Sequence, residues 1–215
     1  RLPRILCACL VGAGLSLAGL LTQGLFRNPL ASPSVIGVSS GGSLGAVVAF
    51  FFGLHSIALW TLPLFAAIGS LLTMLFILLI SRAQRFRSIE DLLLIGFALN
   101  AILSAIASFL LSLSLTDFDK APVMMNWLLG TLNGKTWDHV WIGLLPIGLG
   151  CFLALRIAYQ LQVLALGPDV AETVGIRLAP LRIKTIGLVC LLDATAVALG
   201  GVLPFLGLIV PHLSR

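Results

Sequence analysis

The sequence predicts an all-α protein that crosses a membrane several times, and three observations lead to this fold class. Hydrophobic residues make up 59% of the 215 residues and charged residues only 10%, whereas about a quarter of a soluble domain is charged. No stretch alternates polar and apolar residues in the way that membrane-barrel strands do. Six apolar segments approach the roughly 20 residues that a spanning helix needs. They cover 5–25, 36–54, 57–80, 89–115, 139–157 and 185–203, and a seventh, shorter segment covers 204–213.

The distribution of Lys and Arg residues predicts the orientation of these segments. Of the 13 basic residues, nine fall in the turns on one side and four on the other. Because cytoplasmic loops carry the excess of Lys and Arg, the side with nine is predicted to be cytoplasmic. The turns at 26–35 and 81–88 and the long loop at 156–184 are therefore expected inside, and residues 116–138 outside.

Residues 26–45 form the longest interruption of the apolar pattern. Pro29 and Pro33 cannot continue a helix, so a turn is predicted between the first two apolar segments. The run GVSSGGSLG that follows is rich in small residues, which let another backbone approach closely. We expect a hairpin here, with Ser39 and Ser40 in either a helix interface or a solute path.

Two polar features lie within apolar segments. Asn100, Ser104 and Ser108 recur every four residues and therefore share one helix face. That face either lines a solute path or forms a hydrogen-bonded seam with another helix. Asp193 is the only acid deep in an apolar segment, where a carboxylate costs about 2.5–3.5 kcal/mol. It should bond Thr195 or a neighbouring helix, unless it exchanges protons during transport.

The long inner loop is predicted to contain a short helix of its own. Pro168 suits the first turn of a helix, and Gly175 suits the position just after its end. Asp169 and Glu172 lie near the N-terminal end, where the helix dipole favours acids. With apolar residues between its acids, this helix would either lie on lipid or dock into a cytosolic protein.

The remaining polar residues suggest few chemical roles. Arg1 and Arg4 precede the first segment on the outer side, where they either snorkel to the interface or contact an acidic partner. The four cysteines lie in apolar segments without metal-ligand spacing, so buried free thiols are expected, and three scattered histidines predict no metal site. GTLNGKT at 130–136 has three residues between its glycines where a Walker A loop has four, so no nucleotide site is predicted.

Five motifs resemble those of a known family. They are RLPR at 1–4, RNPLASPSVIGVSSGGSLG at 27–45, NWLLGTLNGKTW at 126–137, LALGPDVAETVGI at 164–176 and GLIVPHLSR at 207–215. They look like the FecCD/BtuC family, the membrane permease subunits of ABC importers for iron–siderophore complexes, haem or vitamin B12. The resemblance covers the whole chain and implies a BtuC-like permease fold. It also implies that this chain holds the second to the eighth of ten family spans and lacks the first and the last two.

The resemblance implies a set of partners as well. Two permease subunits, either a homodimer or a pair of close paralogues, would form a central path through the bacterial cytoplasmic (inner) membrane. Two cytosolic subunits would bind ATP, so the permease itself would be no enzyme and would hold no cofactor. A periplasmic or lipid-anchored binding protein would deliver the solute, with its acidic residues against Arg1 and Arg4. No nucleic-acid partner is expected.

The resemblance and the polar pattern together assign candidate site residues. The residues expected to contact the ATPase are Leu166, Gly167, Pro168, Asp169, Ala171, Glu172 and Gly175. The residues expected along the path or at its cytoplasmic gate are Asn28, Leu30, Ser39, Ser40, Ser88, Asn100 and Ser104. Asp193 and Pro204 depart from the residues usual in the family, which leaves the lining of the path open.

Two classes of function follow. The first is an ABC importer permease, with an iron(III)–siderophore complex as the expected substrate and haem or vitamin B12 as alternatives. The second is a proton-coupled secondary carrier that uses Asp193. A separate ATPase that binds the inner loop would distinguish the first class from the second.

Overall fold

A computed structural model of the chain describes residues 1–58, 60–83, 89–114, 120–203 and 205–213. Within these ranges the chain is all-α, with nine helices and no strand. The helices are α1 (Leu2–Phe26), α2 (Val38–Phe51), α3 (Thr61–Ala83), α4 (Ile89–Ser114), α5 (Lys120–Leu128), α6 (Trp137–Leu166), α7 (Pro168–Thr173), α8 (Leu178–Gly200) and α9 (Leu206–Leu213). The predicted fold class is confirmed.

Each of the six predicted spanning segments contains a helix. By length and composition α1, α4, α6 and α8 can cross a membrane, while α2 and the Thr61–Ile77 part of α3 are shorter apolar helices. The side chains that these helices direct outward are apolar: Leu94, Phe97 and Leu155 are each more than 60% exposed. Such an exposed apolar surface suits contact with lipid tails rather than water.

The helix α2 is shorter than the predicted segment 36–54. Its 14 residues rise about 21 Å, against about 30 Å for the hydrocarbon core of a bilayer. The segment is shortened at both ends by 3-10 turns, Pro33–Ile36 and Leu54–Ser56. The polar groups of α2 therefore start inside the bundle rather than at its edge.

The inner loop predicted at 156–184 is mostly helical, so its boundaries were wrong. The helix α6 continues to Leu166, and α8 begins at Leu178. Residues 157–166 are Ala, Leu, Gln and other helix-compatible residues, and the next helix breaker is Gly167. The connection between the two long helices is therefore α7 with a few residues on each side.

The centre of the described bundle is α8, which contacts α1, α2, α3, α6 and α7. In the most apolar window of α8, 78% of the residues are buried, against 11% for α4. The helix α1 packs against α8, α6 and α9, whereas α2 packs against α3, α4 and α8. The predicted turn between the first two segments is present, and the two helices that it joins have different main neighbours.

Small residues bring α2 and α3 into close contact, as the GVSSGGSLG run predicted. A Cβ atom added at Gly41 would lie 2.6 Å from the carbonyl oxygen of Gly69. Because that neighbour is backbone, it could not move aside without separating the helices. The two helices therefore approach through their main chains, which brings the serines at the start of α2 within reach of α8 and α4.

Candidate functional site

Two adjacent serines at the start of α2 bind two different helices. Ser39 Oγ donates a hydrogen bond of 2.7 Å to Oδ2 of Asp193 on α8. Asp193 is only 1% exposed. Thr195 does not supply its partner, because the Thr195 hydroxyl donates to the Leu191 carbonyl of its own helix at 2.6 Å. The expected partner of Asp193 therefore lies on a neighbouring helix.

The second serine connects α2 to α4. Ser40 Oγ donates to Oδ1 of Asn100, and Ser104 Oγ lies 3.4 Å from the same oxygen. Ser104 and Ser108 are exposed, whereas Asn100 is half-buried. The polar stripe of α4 therefore has two parts. At Asn100 it is hydrogen-bonded to α2, whereas at Ser104 and Ser108, one and two turns further on, it is an exposed polar surface.

The turn after α1 is fixed by hydrogen bonds of its own. Arg27 adopts the left-handed conformation, with φ at 51°, and the Asn28 amide donates to the Gln23 carbonyl at 3.2 Å. Asn28 Oδ1 then accepts a bond of 2.9 Å from the Leu30 amide. This geometry leaves the Leu30 side chain 70% exposed. Ser88, the other residue expected at the gate, lies outside the described ranges.

The short helix predicted in the inner loop is present as α7. It begins at Pro168 directly after Gly167. It ends through two backbone bonds of 2.9 Å, from Gly175 N–H to the Glu172 carbonyl and from Ile176 N–H to the Ala171 carbonyl. This pair of bonds, with Gly175 at φ 84°, is the Schellman arrangement. The predicted start at Pro168 and stop at Gly175 are confirmed.

One side of α7 is anchored and the other is open. Ala171 is fully buried, in the part of the bundle where α7 contacts α6 and α8. Val170 and Val174 are 42% and 56% exposed, and the acids Asp169 and Glu172 are exposed beside them. A mixed apolar and acidic surface held on a short helix can dock another protein.

Basic groups lie at the start of α1 and in the connection between α5 and α6, at the end of α1 opposite its turn. Arg1 and Arg4 are exposed at the start of α1. Lys135, in the connection between α5 and α6, interacts electrostatically with the Cys7 thiol of α1. Burial lowers the pKa of the Lys135 ammonium, and the neighbouring Cys7 opposes that shift. The Arg1 and Arg4 side chains are therefore available to an external partner, and Lys135 adds positive charge to the same end.

Few groups in the described part of the chain could hold a metal. No cluster of three or more His, Cys, Asp or Glu residues occurs among the described residues. All four cysteines are free, with Cys7 and Cys190 buried, Cys151 half-buried and Cys9 exposed. The expectation of buried thiols was therefore wrong for Cys9, since that position of α1 faces outward.

Two local features were not predicted from the sequence. The helix α5 occupies Lys120–Leu128 in the outer segment, where only interfacial tryptophans were expected. Thr136 is the N-cap of α6, and its backbone N–H donates to Nδ1 of His139 at 3.3 Å. The signal for this cap was in the sequence, since Thr136 and His139 have the spacing of a capping box, although His takes the place of the usual Glu or Gln.

These helices, with their apolar outer surfaces and their internally bonded polar groups, define a multi-pass membrane protein. Its particular family follows from comparison with known proteins. The FecCD transport family matches residues 1–215, and the chain belongs to this family. The family resemblance of its motifs is therefore confirmed, as is the predicted location in a membrane.

Three curated relatives carry different substrate names. The chain is 39% identical to the molybdate import system permease protein MolB of Haemophilus influenzae. It is 37% identical to the hemin transport system permease protein HmuU of Yersinia pestis. It is 36% identical to the vitamin B12 import system permease protein BtuC of Klebsiella pneumoniae. Each match covers the whole chain but only 63% or 64% of the relative, so the chain spans less than two thirds of their length.

The fold is also that of a solved transporter. The chain has a TM-score of 0.92 and 39% identity to a structure described as an inward-facing conformation of a metal-chelate type ABC transporter. The match covers 100% of this chain and 67% of that chain. The predicted permease fold is therefore confirmed over the whole sequence.

Proposed function

We propose that this chain forms most of the membrane-spanning permease subunit of an ATP-driven importer. The observation that carries the proposal is the short helix α7, whose open side combines Val170 and the C-cap residue Val174 with the acids Asp169 and Glu172. A surface of this kind on the predicted cytoplasmic side fits a separate ATPase subunit. Of the residues expected to contact the ATPase, Leu166, Asp169, Glu172 and Gly175 are exposed and Pro168 is half-buried, so these five are the proposed docking residues. Gly167 and Ala171 are buried, so they would support the position of α7 rather than touch the ATPase.

The packing of α7 supports energy transfer through this surface. The helix follows α6 after the single residue Gly167 and contacts α8 as well. Because Ala171 is fully buried and the Schellman bonds fix the C-terminal end, α7 cannot rotate independently of the two long helices. A movement of the bound ATPase would therefore be transmitted to α8, which contacts α2 and bonds its Ser39.

The proposed path and gate use the polar groups at the centre and at the inner turn. The serines of α2, with Asn100 and Ser104 of α4, would line or border the path, and Asn28 would hold Leu30 at its cytoplasmic end. A second permease subunit, of the same kind or a close paralogue, would complete the path. A substrate-binding protein would dock on the opposite face at Arg1 and Arg4.

An iron(III)–siderophore complex remains the proposed substrate. The similarity to a metal-chelate type transporter supports a chelated metal, and a path bordered by neutral hydroxyl and amide groups suits a bulky chelate with little net charge. Molybdate, haemin and vitamin B12 are the competing substrates, because curated relatives at 36–39% identity carry those names.

The test is complex formation between the full-length permease and its ATPase subunit in detergent or nanodiscs. Glu172→Arg with Val174→Asp changes only exposed side chains of α7, so the membrane fold should survive. We expect this double variant to abolish copurification of the ATPase and the stimulation of ATP hydrolysis.

Asp138→Arg is the matched control, because it reverses an exposed acid at the other end of α6. This variant should bind the ATPase as the wild type does. Equal binding by the wild type and the α7 double variant would refute the docking assignment. Failure of the wild type to bind any ATPase would refute the importer assignment itself.

A further inference from the structure

A polar pocket lies beside the inner ends of α6 and α8 and is not used by the proposed transport path. Its volume is about 360 Å³, and it is lined by residues of α6, of the connection after α7, and of α8. That volume falls in the range of small-molecule sites, about 300–1,000 Å³. The lining side chains that carry charge or an amide are Gln160, Arg177 and Lys184.

The two cations are placed on one wall by the geometry of α8. Arg177 is the residue before the first turn of α8, and Lys184 lies seven residues further on, which is two turns or about 10 Å along the helix. Gln160 of α6 lines the same pocket. Two separated cations with an amide N–H₂ donor between helices can surround an anion with several oxygen atoms.

The positive charge of this pocket is not neutralised by the described part of the chain. Neither Arg177 nor Lys184 forms an ion pair with a described carboxylate, including the exposed acids Asp169 and Glu172 of the adjacent α7. The free backbone N–H groups at the start of α8 add positive potential near Arg177. The pocket therefore favours an anion that comes from outside this segment.

The pocket lies on the predicted cytoplasmic side of the bundle. Tyr159, next to Gln160 in the chain, is 65% exposed, and Tyr side chains favour the membrane interface. The rest of the pocket lining includes the apolar residues Ile176, Pro180 and Leu181. A molecule in the pocket would thus have an anionic end among the cations and an apolar part against these apolar residues.

We propose that this pocket binds the phosphate of an anionic phospholipid from the cytoplasmic leaflet. Basic pockets between membrane helices on the cytoplasmic side are known to bind such headgroups. Gly175 and Ile176, which terminate α7, form part of the pocket wall. A bound headgroup therefore contacts the end of α7 and supports the position of that helix.

The experiment measures retention of dioleoylphosphatidylglycerol by the full-length permease complex, using native mass spectrometry with dioleoylphosphatidylcholine as the neutral comparison. Arg177→Gln and Lys184→Gln should each weaken the apparent affinity for phosphatidylglycerol about fivefold. Lys184→Arg keeps the charge and should bind as the wild type does. Binding by Lys184→Arg also shows that a change at this position leaves the site folded.

Arg156→Gln is the matched control, because it removes one exposed cation from α6 outside the pocket. It should change the affinity less than twofold. An equal loss in Arg156→Gln and the pocket variants would overturn the proposal, since general surface charge would then explain binding. Equal retention of phosphatidylcholine would overturn it as well.

A separate arm distinguishes a lipid from a free oxyanion. Inorganic phosphate at millimolar concentration should leave phosphatidylglycerol bound, because it has no apolar part to contact the apolar residues that line the pocket. Complete displacement by inorganic phosphate would overturn the lipid assignment and identify a soluble oxyanion site.

Discussion

The hydrogen bond between Ser39 and Asp193 should contribute measurably to the packing of α2 against α8. Ser39→Ala removes the donor and leaves a carboxyl group that is only 1% exposed. An unsatisfied buried acceptor costs about 1–3 kcal/mol in soluble proteins. Bonds between membrane helices average about 0.6 kcal/mol and reach about 1.7 kcal/mol, because the separated helices find other partners.

Full burial of both groups places this bond near the upper membrane value. We therefore expect Ser39→Ala to lower the free energy of unfolding by about 1.5 kcal/mol. Ser43→Ala is the matched control, since Ser43 lies one turn further along α2 and donates at 2.9 Å to the Ser39 carbonyl of its own helix. Loss of that local bond should change the free energy by less than about 0.5 kcal/mol.

The assay is steric-trapping unfolding of the full-length permease in bicelles, carried out as a double-mutant cycle with Asp193→Ala. Ser39→Ala should have almost no further effect once Asp193 is gone, because the bond is already lost. Two results would refute the reasoning. One is an equal effect of Ser39→Ala with and without Asp193, and the other is an effect no larger than that of Ser43→Ala.

Three further predictions concern helix packing and the two docking surfaces. Gly41→Ala should lower the free energy of unfolding by about 1–3 kcal/mol because its methyl group meets the backbone of α3, whereas Gly12→Ala, where a Cβ meets nothing within 4 Å, should not. Gly175→Ala should weaken ATPase binding about fivefold or more, since φ of 84° strains a residue with a Cβ by about 1–2 kcal/mol. Arg1→Glu with Arg4→Glu should weaken association with the binding protein at least about tenfold at low salt.

Each of these predictions has a direct check. Unfolding measurements compare Gly41→Ala with Gly12→Ala, and equal stability would contradict the close packing of α2 and α3. Copurification measures ATPase binding by Gly175→Ala, and unchanged binding would show that the end of α7 need not be rigid. Surface plasmon resonance measures the binding protein, and an unchanged rate of association after reversal of Arg1 and Arg4 would move the docking site elsewhere.

The fold class and the positions of the spans could be predicted from the sequence because lipid imposes a length on apolar segments. The extent of the helices was harder to predict. The predicted segment ends at 157, beside the charged Arg156, yet residues 157–166 continue α6 because no helix breaker precedes Gly167. The short α7 was predictable from the local sequence, since Pro168 marks its start and Gly175, seven positions later, marks its end.

The sequence predicts that the buried polar groups of the site need hydrogen-bond partners, but it does not predict which residues those partners are. A buried Asp193 must have a partner, but its partner Ser39 lies 154 residues away in the chain. Asn100 and Ser104 share a helix face by spacing alone, while the contact of Asn100 with Ser40 depends on how α2 packs against α4. Local sequence carries the helix periodicity and the caps, whereas the pairing of helices arises from the packing of the whole bundle.

The most direct test of the account is uptake of an iron(III)–siderophore complex by the full-length permease and its ATPase in proteoliposomes. An ATP-driven importer should show uptake that requires ATP on the ATPase side and that stops in the Glu172→Arg, Val174→Asp variant while the assembled membrane protein remains folded. A proton gradient imposed without ATP should have no effect. Uptake that follows a proton gradient in the absence of ATP, and that is lost in Asp193→Asn, would contradict the account.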